Sequence, residues 1–349
     1  MKQGRATYVF PGANTAQGYH SFFEEGLKGM EQIFILKGGP GCGKSTLMRQ
    51  IGELMQEKGH DVELWQCSSD VDSLDGVLIP DLKAAIVDGT PPHVVEPKYP
   101  GAVEELVDLG VCWNGAELRR QKRTITELGA QIKEQYEQCW VELTRAADIL
   151  EERRSRSAEK SEDNTEAGSA ALLDQVFGQQ EPLCRHMFAS SVTPRGWVSF
   201  LEPLSRRAKR RFILVGPFGA GKERLLAEAA KEAGKRRVYA ELYHHPLAPN
   251  ELQLVWLPEL ETALMAVEEA PPAQEGDVIL DCGRTDDEEQ ARAERCRIRE
   301  LTDAGGRHIA AAKALHDDLE ACYIQAMDYR GVDEIKARLL GRLLALEQS

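Results

Sequence analysis

The chain has 349 residues, long enough for two domains with cores of their own. Hydrophobic residues make up 42% and charged residues 29%, the balance of a folded globular protein and not of a disordered one. A formal net charge of −14 argues against bulk nucleic-acid binding, which needs a basic surface. The eight cysteines show no CxxC spacing, and no stretch reads as a signal peptide or approaches membrane-spanning length, so a reduced, cytoplasmic protein with no membrane partner is expected.

In chain order, a polar and aromatic lead from Tyr8 to Phe23 precedes Ile33-Phe34-Ile35-Leu36, an apolar strand. The strand runs into Gly38-Gly39-Pro40-Gly41-Cys42-Gly43, and Lys44-Ser45-Thr46 then opens an apolar helix. Gly38, Gly43, Lys44 and Ser45 fill the fixed positions of GxxxxGK[ST], the P-loop or Walker A motif. Glycines let successive N–H groups turn into one anion-binding nest, and the helix N-terminus adds its positive end. In such a loop Lys44 is expected to reach the β- and γ-phosphates and the Ser45 hydroxyl to ligate Mg²⁺.

A second strand, Val62 to Cys67, leads to an acidic stretch with Asp70, Asp72 and Asp75. Apolar runs broken by proline follow, Val77 to Pro80 and Ala84 to Val87. Asp88 ends the latter and is followed by Gly89-Thr90, which suits a magnesium-holding carboxylate at the sheet's carboxyl edge. Asp88 is favoured over Glu96 and the acidic cluster for the metal, with Glu96 a candidate to polarise an attacking water. The acidic cluster reads equally as a substrate or second-metal site or as an exposed turn.

Leu118 to Leu150 then show apolar residues at helical spacing, with a break or bend expected at Gly129. A polar stretch, Ser155 to Gly168, reads as a solvated linker.

Past it the chain repeats itself. Phe212-Ile213-Leu214-Val215 leads into Gly216-Pro217-Phe218-Gly219-Ala220-Gly221-Lys222, and Gly38 and Gly216 stand 178 residues apart. At this offset Phe10, Thr15, Gly18, Glu63, Leu64 and Pro80 also fall on identical residues, among them Phe188, Thr193, Gly196 and Glu241. The chain is therefore a tandem duplication: domain 1 over 1–160, linker over 161–181, domain 2 over 182–349. Each copy is expected to be an α/β P-loop NTPase domain, a mostly parallel sheet with helices on both faces and long helical segments at its end. In the second copy a break is expected at Gly305-Gly306, and a last helix carries Ile335, Leu339, Leu343 and Leu346. The simplest reading packs these helices on their own sheet, and the alternative is an arm that contacts a partner.

The second loop keeps Gly216, Gly219, Gly221 and Lys222 but is degenerate: Glu223 replaces Ser45 and Ala266 replaces Asp88. Asp281 is a candidate substitute, although its stretch also aligns with Glu105 to Gly110, which reads as a helix. Repulsion between Glu223 and phosphate is expected to weaken nucleotide binding there.

With these motifs in place, FPGANTAQGYHSFFEEGLKGMEQIFILKGGPGCGKSTLM and the later IVDGT run resemble a family of bacterial tandem P-loop ATPases of unestablished biological role. The resemblance implies ATP binding at Gly38, Gly43, Lys44, Ser45 and Asp88, with hydrolysis, and Glu223 and Ala266 depart from the family's pattern. The expected activity is that of a Mg²⁺-dependent ATPase with a regulatory or structural second copy. The alternatives are a small-molecule or nucleotide kinase, or an ATP-sensing scaffold, each with a protein or metabolite partner.

Overall fold

The computed structural model describes residues 3–158, 184–283 and 288–347. The linker over 161–181 lies outside these residues. In the first half β1 (Ala6–Val9) is followed by a hairpin of β2 (Gly12–Thr15) and β3 (Gly18–Ser21), then one turn of helix, α1 (Phe23–Gly26). The main elements are β4 (Gln32–Lys37), α2 (Lys44–Glu57), β5 (Val62–Gln66), β6 (Leu74–Ile79), β7 (Ala84–Asp88) and β8 (Glu104–Asp108). Helices α3 (Gly115–Arg120) and α4 (Lys122–Ala158) follow.

The second half repeats the series. It has β9 (Cys184–Phe188), the hairpin β10 (Ser190–Thr193) and β11 (Gly196–Ser199), α5 (Leu201–Ser205), β12 (Arg210–Val215) and α6 (Lys222–Arg236). Then come β13 (Ala240–His245), β14 (Ala248–Leu257), β15 (Thr262–Val267) and β16 (Asp277–Asp281), and finally α7 (Glu288–Ile324) and α8 (Tyr329–Leu346).

The first sheet has the order β1-β5-β6-β7-β4-β8 and the second, from the matching edge, β9-β13-β14-β15-β12-β16. In both, the third strand runs antiparallel to its neighbours and the remaining pairs are parallel. These are two similar α/β domains in tandem.

Alternation along the strands decides which face meets what. Ile33, Ile35, Ala85 and Val87 enter an inner core that they share with Ile213, Ala263 and Met265 of the other half. Phe34, Leu36, Ala84 and Ile86 point the other way, onto Leu47, Met48, Ile51 and Met55 of α2. Helices therefore cover the outer face, and the inner face, expected to carry helices too, packs instead on the sister half.

The terminal helices also depart from expectation. Val332, Ile335, Leu339 and Leu343 of α8 are buried in the outer core of the first half, not on the second sheet that precedes them. They get there because α7 crosses over. It runs antiparallel against α4, with His308 bonded to Gln135 and Gly305 against Leu143, and its C-terminal end reaches the first glycine loop. Gly305 and Gly306 do not break this helix. A Cβ at Gly306 would meet the Thr193 carbonyl oxygen at 2.8 Å, so glycine serves close approach there. Gly129 likewise sits inside an unbroken α4, and the chain turns earlier, at Gln121. The stretch Glu105 to Gly110, read as helical, lies mostly in an edge strand, Glu104–Asp108, whose Leu106 is half exposed, and this one-sided burial hid its strand pattern.

Candidate functional site

The first glycine loop leaves β4, and the two strands beside β4 each end in an aspartate. Leu36 lies opposite Asp88 at the end of β7, and Lys37 lies opposite Asp108 at the end of β8. Ligands of open α/β sheets bind at this carboxyl edge. Gly41 and Gly43 have φ of +67° and +86°, which glycine adopts at no steric cost, and Gly43 caps α2. The first helical turn, whose N–H groups have no carbonyl partner within the helix, thus begins directly at the loop.

Lys44 Nζ donates to the carbonyls of Gly38 (2.8 Å) and Gly39 (2.9 Å) and stands 3.5 Å from Asp88 Oδ2. Asp88 is buried, and its Oδ1 accepts from the Thr90 amide (2.9 Å) and hydroxyl (2.6 Å), so the turn after β7 fixes the carboxylate. Ser45 Oγ accepts from the Leu74 amide at 2.9 Å, which ties the start of α2 to β6.

All nine residues from Gly38 to Thr46, Pro40, Cys42 and Thr46 included, line a cavity of about 920 Å³, together with Asp88 and Asp108. Deeper in it lie Asp75 and His93, both buried. His93 Nδ1 is 3.1 Å from the Asp88 carbonyl oxygen and Nε2 is 3.5 Å from Asp75 Oδ1. Burial opposes charge on this ring, yet Asp75 and Asp88 outweigh it and raise its pKa. Tyr19 and Tyr136 also line the cavity, and burial pushes both phenols up.

Of the remaining expected residues, Asp70 and Asp72 also line the cavity and Glu96 does not. Asp70 accepts from the Ser73 hydroxyl and lies 3.4 Å from Lys313 of α7, while Asp72 is exposed and accepts from Arg195 of the second half. Glu96 does not join Lys44 and Asp88. Its side chain is 66% exposed, accepts from Lys37 Nζ at 2.6 Å, and does not line the cavity. Lys37 also donates to the Gly89 and Val95 carbonyls, so the pair pins the segment that follows Asp88.

At the second loop Gly216, Gly219 and Gly221 repeat the turn, with Gly219 and Gly221 again at positive φ. Here Lys222 Nζ donates to Glu223 Oε1 at 2.5 Å, and the other oxygen, Oε2, accepts from the Gly219 amide at 3.2 Å. Lysine and glutamate are both buried. Asp281 ends a strand, and β16 takes the place of β8, so Asp281 matches Asp108 and leaves the Asp88 position as alanine. The cavity beside Gly216 is about 280 Å³.

Sequence reasoning missed Asp108, hidden in an edge strand, and the cavity-lining residues of α7: Lys313, His316, Glu320 and Ile324. No local signal could have found the α7 residues, which lie more than 260 positions from the loop. The arginines of the basic stretch Ser205 to Arg211 have partners in their own half. Arg211 is buried on Asp277, Arg206 pairs with Glu202, Arg207 with Glu241, and Arg210 lies over the Phe212 ring. Comparison with protein-family models, with curated proteins and with solved structures gives no significant match.

Proposed function

We propose that the first glycine loop is a P-loop that binds ATP with Mg²⁺ and hydrolyses it, and that the second loop is a regulatory or structural copy. The observation that carries this reading is the placement of Lys44 at the loop mouth, between two loop carbonyls and Asp88, beneath a cavity lined by the whole GxxxxGK[ST] segment. A lysine ammonium paired this lightly is free to exchange carbonyls for phosphate oxygens. The loop and helix N–H groups supply the anion nest.

Ser45 hydroxyl and Asp88 carboxylate are hard oxygen donors that line the same cavity, the donor chemistry that magnesium takes. They would hold the ion, which when bound neutralises charge developing on the transferred phosphoryl group. Within the chain, Thr90 orients Asp88, and the Lys37–Glu96 pair steadies the segment that carries it.

The decisive experiment is phosphate release from MgATP by the wild type and by Lys44→Ala and Lys222→Ala variants. Turnover lost only with Lys44→Ala supports the reading, and turnover lost only with Lys222→Ala overturns it. One observation favours a second reading, a kinase. The cavity of about 920 Å³ lies at the upper end of the range for small-molecule sites and continues past Asp88 to the buried Asp75–His93 pair. Turnover that appears only with an added metabolite would select that reading, and tight MgATP binding without turnover would select a nucleotide-sensing scaffold.

A further inference from the structure

The two glycine loops share one unusual contact. Gly41 and Gly219 stand at the same place in the repeat, and each donates its backbone N–H to a glutamate carboxylate. In the second loop the acceptor is Glu223, from the loop's own helix. In the first it is Glu320 Oε1 of α7, at 3.1 Å, brought from the other half of the chain. The contact is close-packed: a Cβ at Gly41 would stand 3.1 Å from the Glu320 carbonyl oxygen and 3.0 Å from Ile324. The Tyr329 hydroxyl donates to the Gly41 carbonyl at 2.8 Å, and the Tyr323 ring lies against Gly39.

We infer that Glu320 is a built-in competitor for the first anion site: its carboxylate holds the loop N–H that a phosphate oxygen would otherwise take, so the second half of the chain sets the affinity of the first loop. The inference rests on the nucleotide reading above for its natural ligand, and its physical basis is independent of it. A backbone N–H in an anion nest has one hydrogen to donate, and a carboxylate and a phosphate oxygen are alternative acceptors for it. Two like charges cannot share the nest without repulsion. A bound triphosphate must therefore displace Glu320 from Gly41.

Displacement does not remove α7 from the site. Lys313, His316 and Glu320 recur at helical spacing on one face and line the same cavity, so the helix that withdraws a carboxylate leaves a lysine and a histidine facing the phosphates. Glu320 has His316 Nδ1 at 3.7 Å as an alternative partner once it leaves the loop. The second loop differs in that its competitor is fixed. Glu223 is buried and neutralises Lys222, whereas the Glu320 side chain is about one-third exposed.

The test is calorimetric titration of MgATP and, separately, of pyrophosphate into the wild type, Glu320→Gln and Asp318→Asn. Glu320→Gln keeps the side-chain shape and removes the charge, and Asp318→Asn removes the same charge from an exposed position on the same turn. The expected result is about tenfold tighter binding for Glu320→Gln and little change for Asp318→Asn, because a neutral amide holds the Gly41 N–H more weakly than a carboxylate and does not repel the incoming anion, so the binding-competent loop is more populated. Equal or weaker binding of both ligands by Glu320→Gln overturns the inference, and if the wild type binds MgATP the nucleotide reading survives. No MgATP binding by either protein, with pyrophosphate tightened by Glu320→Gln, overturns the nucleotide reading and sustains the inference.

Discussion

Phe10 and Phe188 each donate a backbone N–H to the other's carbonyl, both at 3.1 Å. They are repeat equivalents, so the bridge joins a residue to its own copy, as happens where a twofold axis passes through an interface. Around it both side chains are fully buried in the core shared by the two sheets. The same symmetry brings α7 over the first loop, with Glu320 beside Gly41, and α4 over the second, with Arg154 beside Gly219. Each glycine loop is thus roofed by a helix from the other half, with a glutamate against Gly41 and an arginine against Gly219.

Lys44→Ala and Asp88→Asn should each lower ATP turnover by about two orders of magnitude or more, the usual scale for a preorganised electrostatic group. Lys222→Ala should leave turnover within about threefold, because Glu223 already occupies that lysine. Steady-state phosphate release measures all three.

Glu223→Ala should cost stability, not activity. It removes the partner of a buried ammonium and leaves Lys222 uncompensated, a change worth about 3 kcal/mol or more. The denaturation midpoint in urea should fall accordingly, and an unchanged midpoint would show that Lys222 finds solvent or another acceptor.

The two histidines that end β13 should make the fold acid-sensitive. Burial, then Lys222, depresses His245 to about 3, and burial, then His186, depresses His244 to about 4. With folded pKa values below the ordinary 6.5, their contribution is present above pH 6.5 and is lost as pH falls to about 4 for His244 and about 3 for His245. His245→Asn should flatten the decline in melting temperature between these limits. His93 has the opposite sign: its pKa is raised, so its contribution is full below 6.5 and fades as pH rises through the folded value. The stability gap between wild type and His93→Gln should therefore narrow at alkaline pH.

Two helical glycines should respond oppositely to alanine. Gly129 has open space where a Cβ would go, so Gly129→Ala should stabilise by up to about 1 kcal/mol through helix propensity. Gly306→Ala would push a methyl to 2.8 Å from the Thr193 carbonyl oxygen and should destabilise by about 1–3 kcal/mol. Thermal melting of the two variants checks the pair, and a stable Gly306→Ala would mean that the helix crossing can open.

The glycine loop, the duplication and the loss of Ser45 and Asp88 equivalents at Glu223 and Ala266 were all legible in the residues. They depend on local backbone chemistry and on matching one stretch of chain to another. The recurrence of Thr15 and Gly18 as Thr193 and Gly196 was legible for the same reason, and the structure shows that both threonine hydroxyls make the same bond to a glycine carbonyl. Tertiary structure alone decided the rest. Apolar periodicity shows that Ile35 and Phe34 face opposite ways, but not that one meets a sister sheet and the other a helix from the far end of the chain. Edge exposure concealed Asp108, and only the helix crossing revealed why two adjacent glycines sit inside α7. The placement of Glu320 on Gly41 joins residues 279 positions apart, and no local pattern encodes it, because the contact exists only once the two halves pack about their common axis.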